Sequence, residues 1–261
     1  MTVNEIRFDN GDNYERFMGR WSQLAGREFL DWLASEHALR WLDVGCGNGA
    51  FTEVIVERCA PISVAGIDPS AEQITFARKR HTAGIARFDD GDAMALPYPD
   101  NRFDMAVMPL VIFFVAEPAR GVAEMVRTVS SGGTVAAYAW DMPGGGFPYE
   151  IVHEEMRIEG LAVPAPPSPT ASRLDVLEAL WTDAGLEAVV TREITVQRTF
   201  ADFDDFWATI QLGPSVGPTF KLMGSDAVAR MKERLRSRLK ADENGEITCS
   251  ARANAVKGRV R

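Results

Sequence analysis

The chain has 261 residues, of which 46% are hydrophobic, and this is enough for a single domain with a substantial core. Its formal net charge of −9 argues against a nucleic-acid partner and against an anionic membrane face, because both require a basic protein surface. Three irregularly spaced cysteines indicate reduced thiols, as in the cytoplasm, rather than a disulfide framework or a metal site.

Helices and strands alternate in the predicted elements of the first half. In chain order they are a helix at 28–38, a strand at 40–45, a helix at 49–59, a strand at 62–68, a helix at 69–80, a short strand from 86, a strand at 103–111, a helix at 117–133 and a strand at 134–141. The longest apolar run, 105–116, is too short to span a bilayer and indicates a buried strand that continues into a loop. This order predicts a parallel sheet with helices on both faces.

The second half begins with loops that are rich in glycine and proline. They surround a predicted helix at 149–160 and precede another from Ser172, which is expected to cap it, to Gly185, which ends it. A strand at 187–200, helices at 202–210 and 226–241 and a final strand at 246–259 follow. The carboxyl end therefore adds two strands, of which one is antiparallel.

Three glycines, Gly45, Gly47 and Gly49, connect the first strand to the next helix, where backbone can approach a ligand closely. Alone, this loop fits a dinucleotide or S-adenosylmethionine. Asp43 favours the second, because its carboxylate, expected at the mouth of the loop, would repel a pyrophosphate by about a few kcal/mol. The ammonium and sulfonium of S-adenosylmethionine would be attracted. The structural alternative is that Asp43 only makes hydrogen bonds within the loop.

Two further acidic residues follow strands. Asp68 could accept hydrogen bonds from the ribose hydroxyls of either cofactor, or it could cap the helix that begins at Pro69. Asp92, after a turn at Gly91, could accept from an adenine amino group while the Ala93 amide donates to a ring nitrogen. The alternative for this segment is a solvated acidic turn.

In this order the segments resemble the class I S-adenosylmethionine-dependent methyltransferases, especially the small-molecule group with the pattern "LDVGCGxG". The matching segments are 42–49, 68–70, 91–104 and 124–133. The resemblance, which covers about 40–140, implies an α/β, Rossmann-like fold. Its seven-stranded sheet is mostly parallel with an antiparallel last strand, and it has helices on both faces and helical lid insertions. The cofactor is expected across the carboxyl ends of the strands.

The resemblance also implies which residues contact the cofactor. The loop of Gly45, Cys46, Gly47 and Gly49 would meet the methionine portion, Asp68 the ribose, Pro69 the adenine face, Asp92 and Ala93 the adenine edge, and Met108 the sulfonium side. Met108 stands where the family often has Ser, Asn or Thr, and Phe113 where it frequently has His or Trp. These departures leave the substrate open.

The segment "NYERFMGRWS" looks like the short helix that closes over the cofactor in this family. Tyr14 would pack over the methionine portion and Arg20 would pair with its carboxylate. Alternatively, the segment is a docking helix with Phe17 and Trp21 in the core and Arg20 in solvent.

We expect one domain, 1–261, with a cofactor-binding core at about 28–141 and lid segments at about 1–27, 142–172 and 200–228. Aromatic residues in the lid suit a moderately apolar small molecule, although their helical spacing is also typical of a core. They are Phe147, Tyr149, Phe203, Phe206, Trp207 and Phe220.

The expected reaction is an in-line methyl transfer that leaves S-adenosylhomocysteine, and alignment with exclusion of water can account for most of its acceleration. A general base is required only if the acceptor must lose a proton, and His153 and Asp141 are the candidates. Two alternatives stay open. One is a non-catalytic protein that binds the cofactor as a sensor or partner; the other is an NAD-dependent oxidoreductase.

Overall fold

The protein is described by a computed structural model, which covers residues 15–82, 84–214 and 216–261. Seven strands form one sheet in the order β3-β2-β1-β4-β5-β7-β6. Their bounds are β1 Arg40–Val44, β2 Ser63–Asp68, β3 Ala86–Asp90, β4 Phe103–Pro109, β5 Val129–Trp140, β6 Glu187–Phe200 and β7 Ile247–Arg259. Neighbouring strands from β1 to β5 are parallel, whereas β7 runs antiparallel to both β5 and β6. The predicted fold class is confirmed.

Nine α-helices and three short helical turns are present in the described part of the chain. The helices are α1 Arg20–Leu33, α2 Ala50–Cys59, α3 Ala71–Ala77, α4 Pro118–Thr128, α5 Glu150–Ile158, α6 Leu174–Asp183, α7 Phe203–Ile210, α8 Gly217–Leu222 and α9 Ser225–Arg238. A π-helical turn, Glu15–Gly19, precedes α1, and 3₁₀ turns lie at Ile112–Phe114 and Pro169–Ser172. No helix in these described ranges is long and apolar enough to cross a membrane.

Helices cover both faces of the sheet, as two adjacent residue pairs show. Met108 of β4 is paired with Ala137 of β5, and the next pair joins Pro109 to Tyr138. Successive side chains of a strand point to opposite faces. Tyr138 contacts Phe29 of α1, with ring centroids 4.7 Å apart, whereas Met108 lies beneath α4. Strand β4 is therefore buried on both faces, which explains its continuous apolar run.

Two predicted helices have the wrong bounds. The helix predicted at 28–38 is α1, which begins at Arg20 and ends where Ala34 adopts a φ of +48° and returns its amide to the Leu30 carbonyl. The helix predicted at 117–133 ends at Thr128, because Val129 already pairs with Phe103 in the sheet. In both cases the bounds depend on backbone and sheet contacts that side-chain periodicity does not report.

Ser172 was expected to cap α6, and this is wrong. Its hydroxyl donates to the Pro169 carbonyl at 2.7 Å and accepts from the Met142 amide at 3.1 Å. Arg173 occupies the cap position without a side-chain hydrogen bond. Ser172 instead joins the two ends of the 142–172 segment.

The free edge of the sheet at β3 carries a side-chain cover. The guanidinium of Arg78, which follows α3, donates to the Phe88 carbonyl of this strand from Nε at 3.2 Å and from Nη2 at 2.8 Å. At the opposite side of the sheet, β7 pairs with β5 over 253–259 and with β6 over 247–259. The β6–β7 pair therefore extends beyond the end of β5.

Candidate functional site

The glycine loop follows β1 at the carboxyl edge of the sheet, and its three glycines have φ of +74°, +52° and +79°. A Cβ on Gly45 would lie 2.6 Å from Val111 Cγ1 and 2.9 Å from Val111 Cβ, so no side chain fits there. A Cβ on Gly47 would meet no described atom within 4 Å. A Cβ on Gly49 would lie 3.1 Å from the Cβ of Ala77. The backbone at Gly47 is therefore the part of the loop that is open to a ligand.

Hydrogen bonds fasten this loop to the end of β2. The amides of Gly45 and Cys46 donate to the Ile67 carbonyl at 2.7 and 3.0 Å, and the Gly47 amide donates to Asp68 Oδ2 at 2.9 Å. The Cys46 side chain is buried and touches β2, where a Cβ on Gly66 would lie 3.0 Å from its Sγ. Cys46 can thus offer a ligand only its backbone.

Asp68 is half-buried, and burial raises the pKa of its carboxyl group despite the amides that donate to it. Its Oδ1 accepts from the Ser70 amide at 2.9 Å. The cap of α3 is Ser70, whose hydroxyl accepts from the Gln73 amide, so the cap alternative for Asp68 is wrong. Pro69 beside it is exposed.

Asp43 does not lie at the mouth of the loop as expected. Its side chain is fully buried because β1 points it toward α2, where Oδ2 accepts from the Thr52 hydroxyl at 2.6 Å. Oδ1 has no hydrogen-bond partner among the described residues. Burial raises the pKa of Asp43 to about 7, and the nearby charge of Asp68 acts in the same direction. A carboxyl group therefore lies directly behind the glycine loop with one oxygen unused.

Asp92 forms a turn at the end of β3. Its Oδ1 accepts from the Met94 amide at 2.8 Å, and the side chain is exposed, as the acidic-turn alternative requires. The Gly91 amide donates to the Asp68 carbonyl at 3.2 Å, which places this turn beside the end of β2. Ala93 is half-buried. The two acidic positions of the sequence motif are thus neighbours.

Met108 was expected just past β4, near the sulfonium, and the structure places it elsewhere. It lies within β4, is fully buried, and its Cε would be 3.7 Å from a Cβ on Gly121 of α4. Leu110, with a φ of +61°, is the first residue past the strand, and Val111 covers Gly45. The sequence does not indicate that Val111 contacts Gly45, because the run at 105–116 stays apolar beyond Pro109, where β4 ends.

The N-terminal segment fits the docking-helix alternative in part. Phe17 and Trp21 are buried in the core, and Arg20 at the start of α1 is exposed. Tyr14 lies outside the described residues. The pairing of Arg20 with a carboxylate stays a prediction.

Arg80 joins the N-terminal turn to the glycine loop. Its Nε donates to the Asn48 carbonyl at 2.7 Å, while its other nitrogens contact Glu53 at 2.7 Å and Glu15 at 3.2 Å. Glu15 also accepts from Gln23 of α1 at 2.9 Å. No sequence motif indicates this contact, since it joins three distant segments.

The two candidate bases make contacts within the fold. Asp141 pairs with Arg252 at 2.6 Å and accepts from the Gly144 amide at 3.0 Å. His153 is buried, stacks on Phe147 at 4.9 Å, and its Nδ1 lies 3.5 Å from a Glu150 carboxylate oxygen. Their roles as bases stay predictions.

Most of the aromatic lid belongs to the core. Phe203, Phe206, Trp207 and Phe220 are buried, and Trp207 stacks on Phe220 at 5.2 Å. The aromatic side chain exposed at the carboxyl edge is Phe114, which follows β4 and is 38% exposed.

Residues 42–137 match the family described as methyltransferase domain. This match assigns residues 42–137 to the methyltransferase domain family. Demethylmenaquinone methyltransferase of Deinococcus radiodurans is 31% identical over 128 residues, which are 48% of this chain and 52% of that protein. The chain thus spans about half the length of this curated relative.

Solved structures share the fold of the methyltransferase domain over nearly the whole chain. The [4+2]-cyclase SpnF has a TM-score of 0.55 and 19% identity, with 99% of this chain and 88% of that chain covered. Phosphoethanolamine N-methyltransferase 2 of Haemonchus contortus, in complex with S-adenosylmethionine, has a TM-score of 0.58 and 15% identity. That match covers 96% of this chain and 56% of the other. At these identities the likeness concerns the fold.

Proposed function

We propose that this protein is an S-adenosylmethionine-dependent methyltransferase that acts on a small-molecule acceptor. The observation that carries the proposal is the buried carboxyl group of Asp43, whose Oδ1 has no partner among the described residues. With a pKa of about 7 this group is partly ionised near neutral pH, and a cation bound at the loop would favour its ionised form. The carboxyl group of Asp68 lies nearby and adds to the negative charge of the loop region. A cationic cofactor is attracted to such a site, whereas the pyrophosphate of NAD is repelled.

The residues at the carboxyl edge fit this cofactor in shape as well as in charge. The open backbone at Gly47 allows close approach, and the half-exposed carboxylate of Asp68 can accept from ribose hydroxyls. Asp92 and Ala93 would read the adenine. Arg20 would pair with the methionine carboxylate. The contacts of Tyr14, which lies outside the described residues, with the methionine portion and of Pro69 with the adenine stay predictions.

S-adenosylmethionine, when bound, supplies a methyl group already activated by the sulfonium. The protein then has to orient the acceptor and exclude water. Val111 packs against Gly45, and the Leu110 amide donates a hydrogen bond to the Tyr138 carbonyl at 2.7 Å. These two residues give this edge an apolar wall. A wall of this kind can orient an acceptor without chemical participation.

The side chains near this wall support an apolar or partly apolar acceptor. Leu110 and Val111 are half-buried and Phe114 is exposed, so apolar surface is available where β4 ends. The relative from Deinococcus radiodurans is named for demethylmenaquinone, which agrees with this class. An acceptor that must lose a proton would require Asp141 or His153 to leave its present contacts.

A protein that binds the cofactor without transferring its methyl group is the second candidate. The fold neighbour SpnF is named as a cyclase, so this fold is compatible with chemistry other than methyl transfer. The contacts that Asp141 and His153 make within the fold agree with either function, because methyl transfer does not require a catalytic side chain.

Ligand-dependent thermal stability tests the cofactor. The midpoint of unfolding is measured with S-adenosylmethionine, S-adenosylhomocysteine and NAD at equal concentrations. We expect the first two to raise it and NAD to leave it unchanged. Stabilisation by NAD alone would contradict the proposal.

Methyl transfer is tested separately, by incubation with S-adenosylmethionine and a metabolite extract. Formation of S-adenosylhomocysteine together with a methylated product supports the enzyme. Cofactor binding with neither product supports the non-catalytic candidate.

A further inference from the structure

A cluster of four side chains, here called the clasp, joins the N-terminal turn to α5 and β6; it consists of Phe17, Trp21, Tyr149 and Arg198. The Tyr149 hydroxyl donates to the Phe17 carbonyl at 2.6 Å and accepts from Trp21 Nε1 at 3.1 Å and from Arg198 Nη1 at 3.2 Å. The rings of Tyr149 and Phe17 are stacked, with centroids 4.5 Å apart. All four side chains are buried.

Arg198 is the charged member of the clasp. Besides Tyr149, its Nη1 contacts the carbonyls of Arg16 and Phe17 at 3.0 and 3.2 Å. No carboxylate in the described ranges forms an ion pair with Arg198, whereas Arg16 pairs with Asp205 at 2.9 Å. A buried cation is costly unless polar groups compensate it, and here the backbone of the N-terminal turn does so. The contact therefore depends on where that turn lies.

The same turn is fixed on its other side by the glycine loop. Glu15, at the start of the turn, contacts Arg80, and Arg80 donates to the Asn48 carbonyl within the loop. Arg20 follows the turn directly, so its position depends on both connections. The clasp and the glycine loop thus hold opposite sides of one short segment.

We propose that Tyr149 and Arg198 are positioning residues for the cofactor, because they bind the backbone of the N-terminal turn that directly precedes Arg20, the predicted partner of the methionine carboxylate. The inference rests on the proposed function. Since Tyr149 directly precedes α5, the clasp also links the 142–172 segment on the acceptor side to cofactor affinity. Neither residue touches the reacting atoms.

The apparent affinity of a ligand falls with the fraction of protein in the competent conformation. Loosening the turn therefore raises the dissociation constant of S-adenosylhomocysteine without changing the residues expected to contact it. A purely structural role would lower the unfolding temperature and leave this constant unchanged. The two quantities separate the two roles.

The test compares Tyr149→Phe, which keeps the ring stack, with Arg198→Met, which removes the cation, and with Arg198→Lys. Thr199→Val is the matched control, because it removes a hydroxyl of β6 next to Arg198 that is exposed and bonded to Thr248 at 2.9 Å. The dissociation constant of S-adenosylhomocysteine is measured by calorimetry and the unfolding midpoint by thermal denaturation. We expect the dissociation constant to rise at least tenfold for Tyr149→Phe and Arg198→Met, to rise less for Arg198→Lys, and not to change for Thr199→Val.

Wild-type affinity in a folded Tyr149→Phe protein overturns the inference, as does an equal loss of affinity in Thr199→Val. If Arg198→Met does not fold, Tyr149→Phe decides. If the wild-type chain itself fails to bind S-adenosylhomocysteine, the proposed function fails and the inference with it. If only the inference about the clasp fails, the wild-type protein still binds S-adenosylhomocysteine. Failure of the inference and failure of the proposed function are therefore distinguishable.

Discussion

The side chain of Val111 occupies the space that a Cβ on Gly45 would need, with its Cγ1 2.6 Å from that position. Because Gly45 also has a φ of +74°, alanine there combines a steric clash with an unfavourable backbone conformation. We expect Gly45→Ala to lower the free energy of unfolding by about 3 kcal/mol.

Val111→Ala removes the clashing methyl groups, so the double variant should recover about 1 kcal/mol relative to the sum of the single changes. Urea unfolding of all four proteins gives this coupling. Strict additivity would show that the two residues do not interact. The stability loss of Gly45→Ala would then come only from the unfavourable φ at this position.

Asp43→Asn tests the buried carboxyl group behind the loop. The ordinary pKa of 3.8 is raised by burial to about 7, so the folded protein retains a proton that the unfolded chain releases between these values. Folding then requires Asp43 to take up a proton, so the wild-type protein loses stability as the pH rises from 4 to 7, by about 4 kcal/mol in total once the pH exceeds 7. The stability of Asp43→Asn relative to wild type should increase over this range.

Urea unfolding at several pH values provides the measurement for Asp43. Asp31→Asn is the control, since that carboxylate is exposed and paired with Arg58 at the surface. Parallel stability curves for wild type and Asp43→Asn would show that this group is not destabilised by burial.

Arg80→Met removes the contacts between the N-terminal turn, α2 and the glycine loop. The Arg80 side chain is 21% exposed and makes hydrogen bonds with three segments, so we expect a loss of about 1.5 kcal/mol. Arg58→Met removes an exposed pair and should cost at most about 0.5 kcal/mol. Equal losses in the two variants, measured by urea unfolding, would mean that Arg80 is an ordinary surface residue.

Glu155→Gln tests the contact between α5 and α9. Burial opposes the charge of this carboxylate, but hydrogen bonds from Arg234 and Arg238 outweigh it and lower its pKa. Its contribution to stability is therefore present at neutral pH and is lost as the pH falls through the lowered value. Glu155→Gln should cost about 2 kcal/mol at pH 7 and progressively less in acid.

The exposed neighbour Glu154 offers a control for Glu155. It pairs with Arg238 at 2.6 Å but is 47% exposed, so Glu154→Gln should cost about 0.5 kcal/mol or less. Thermal or urea unfolding at pH 7 and in acid compares the two. A loss for Glu155→Gln that does not change with pH would contradict ionic stabilisation.

The basic stretch of α9 shows how far sequence reasoning extends. The spacing of Met231, Leu235 and Leu239 predicts an apolar stripe; Met231 and Leu235 are buried, whereas Leu239 follows the helix and is half-buried. The same spacing predicts that the charged residues between Arg230 and Lys240 lie on a solvated face, but Arg234 and Arg238 pair with Glu155 of α5. Helix periodicity identifies which face is apolar, but it does not identify which helix lies opposite the polar face.

The sheet was predictable because each strand has a continuous or alternating apolar pattern ended by turn residues. The order of motifs at Gly45, Asp68 and Asp92 likewise places them together, since parallel strands end at one edge. The direction of the Asp43 side chain and the burial of Met108 were not predictable, because both depend on which helix covers each face. The contact of Val111 with Gly45 joins two loops far apart in sequence.

The contact of Arg78 with β3 affects whether copies of the protein can associate through the free edge of the sheet. A strand of another copy that pairs with β3 would have to displace the Arg78 guanidinium, which donates two hydrogen bonds to the Phe88 carbonyl. It would also have to bring its own backbone up to a positive charge. Arg78 therefore disfavours association of copies of the protein through their β3 edges.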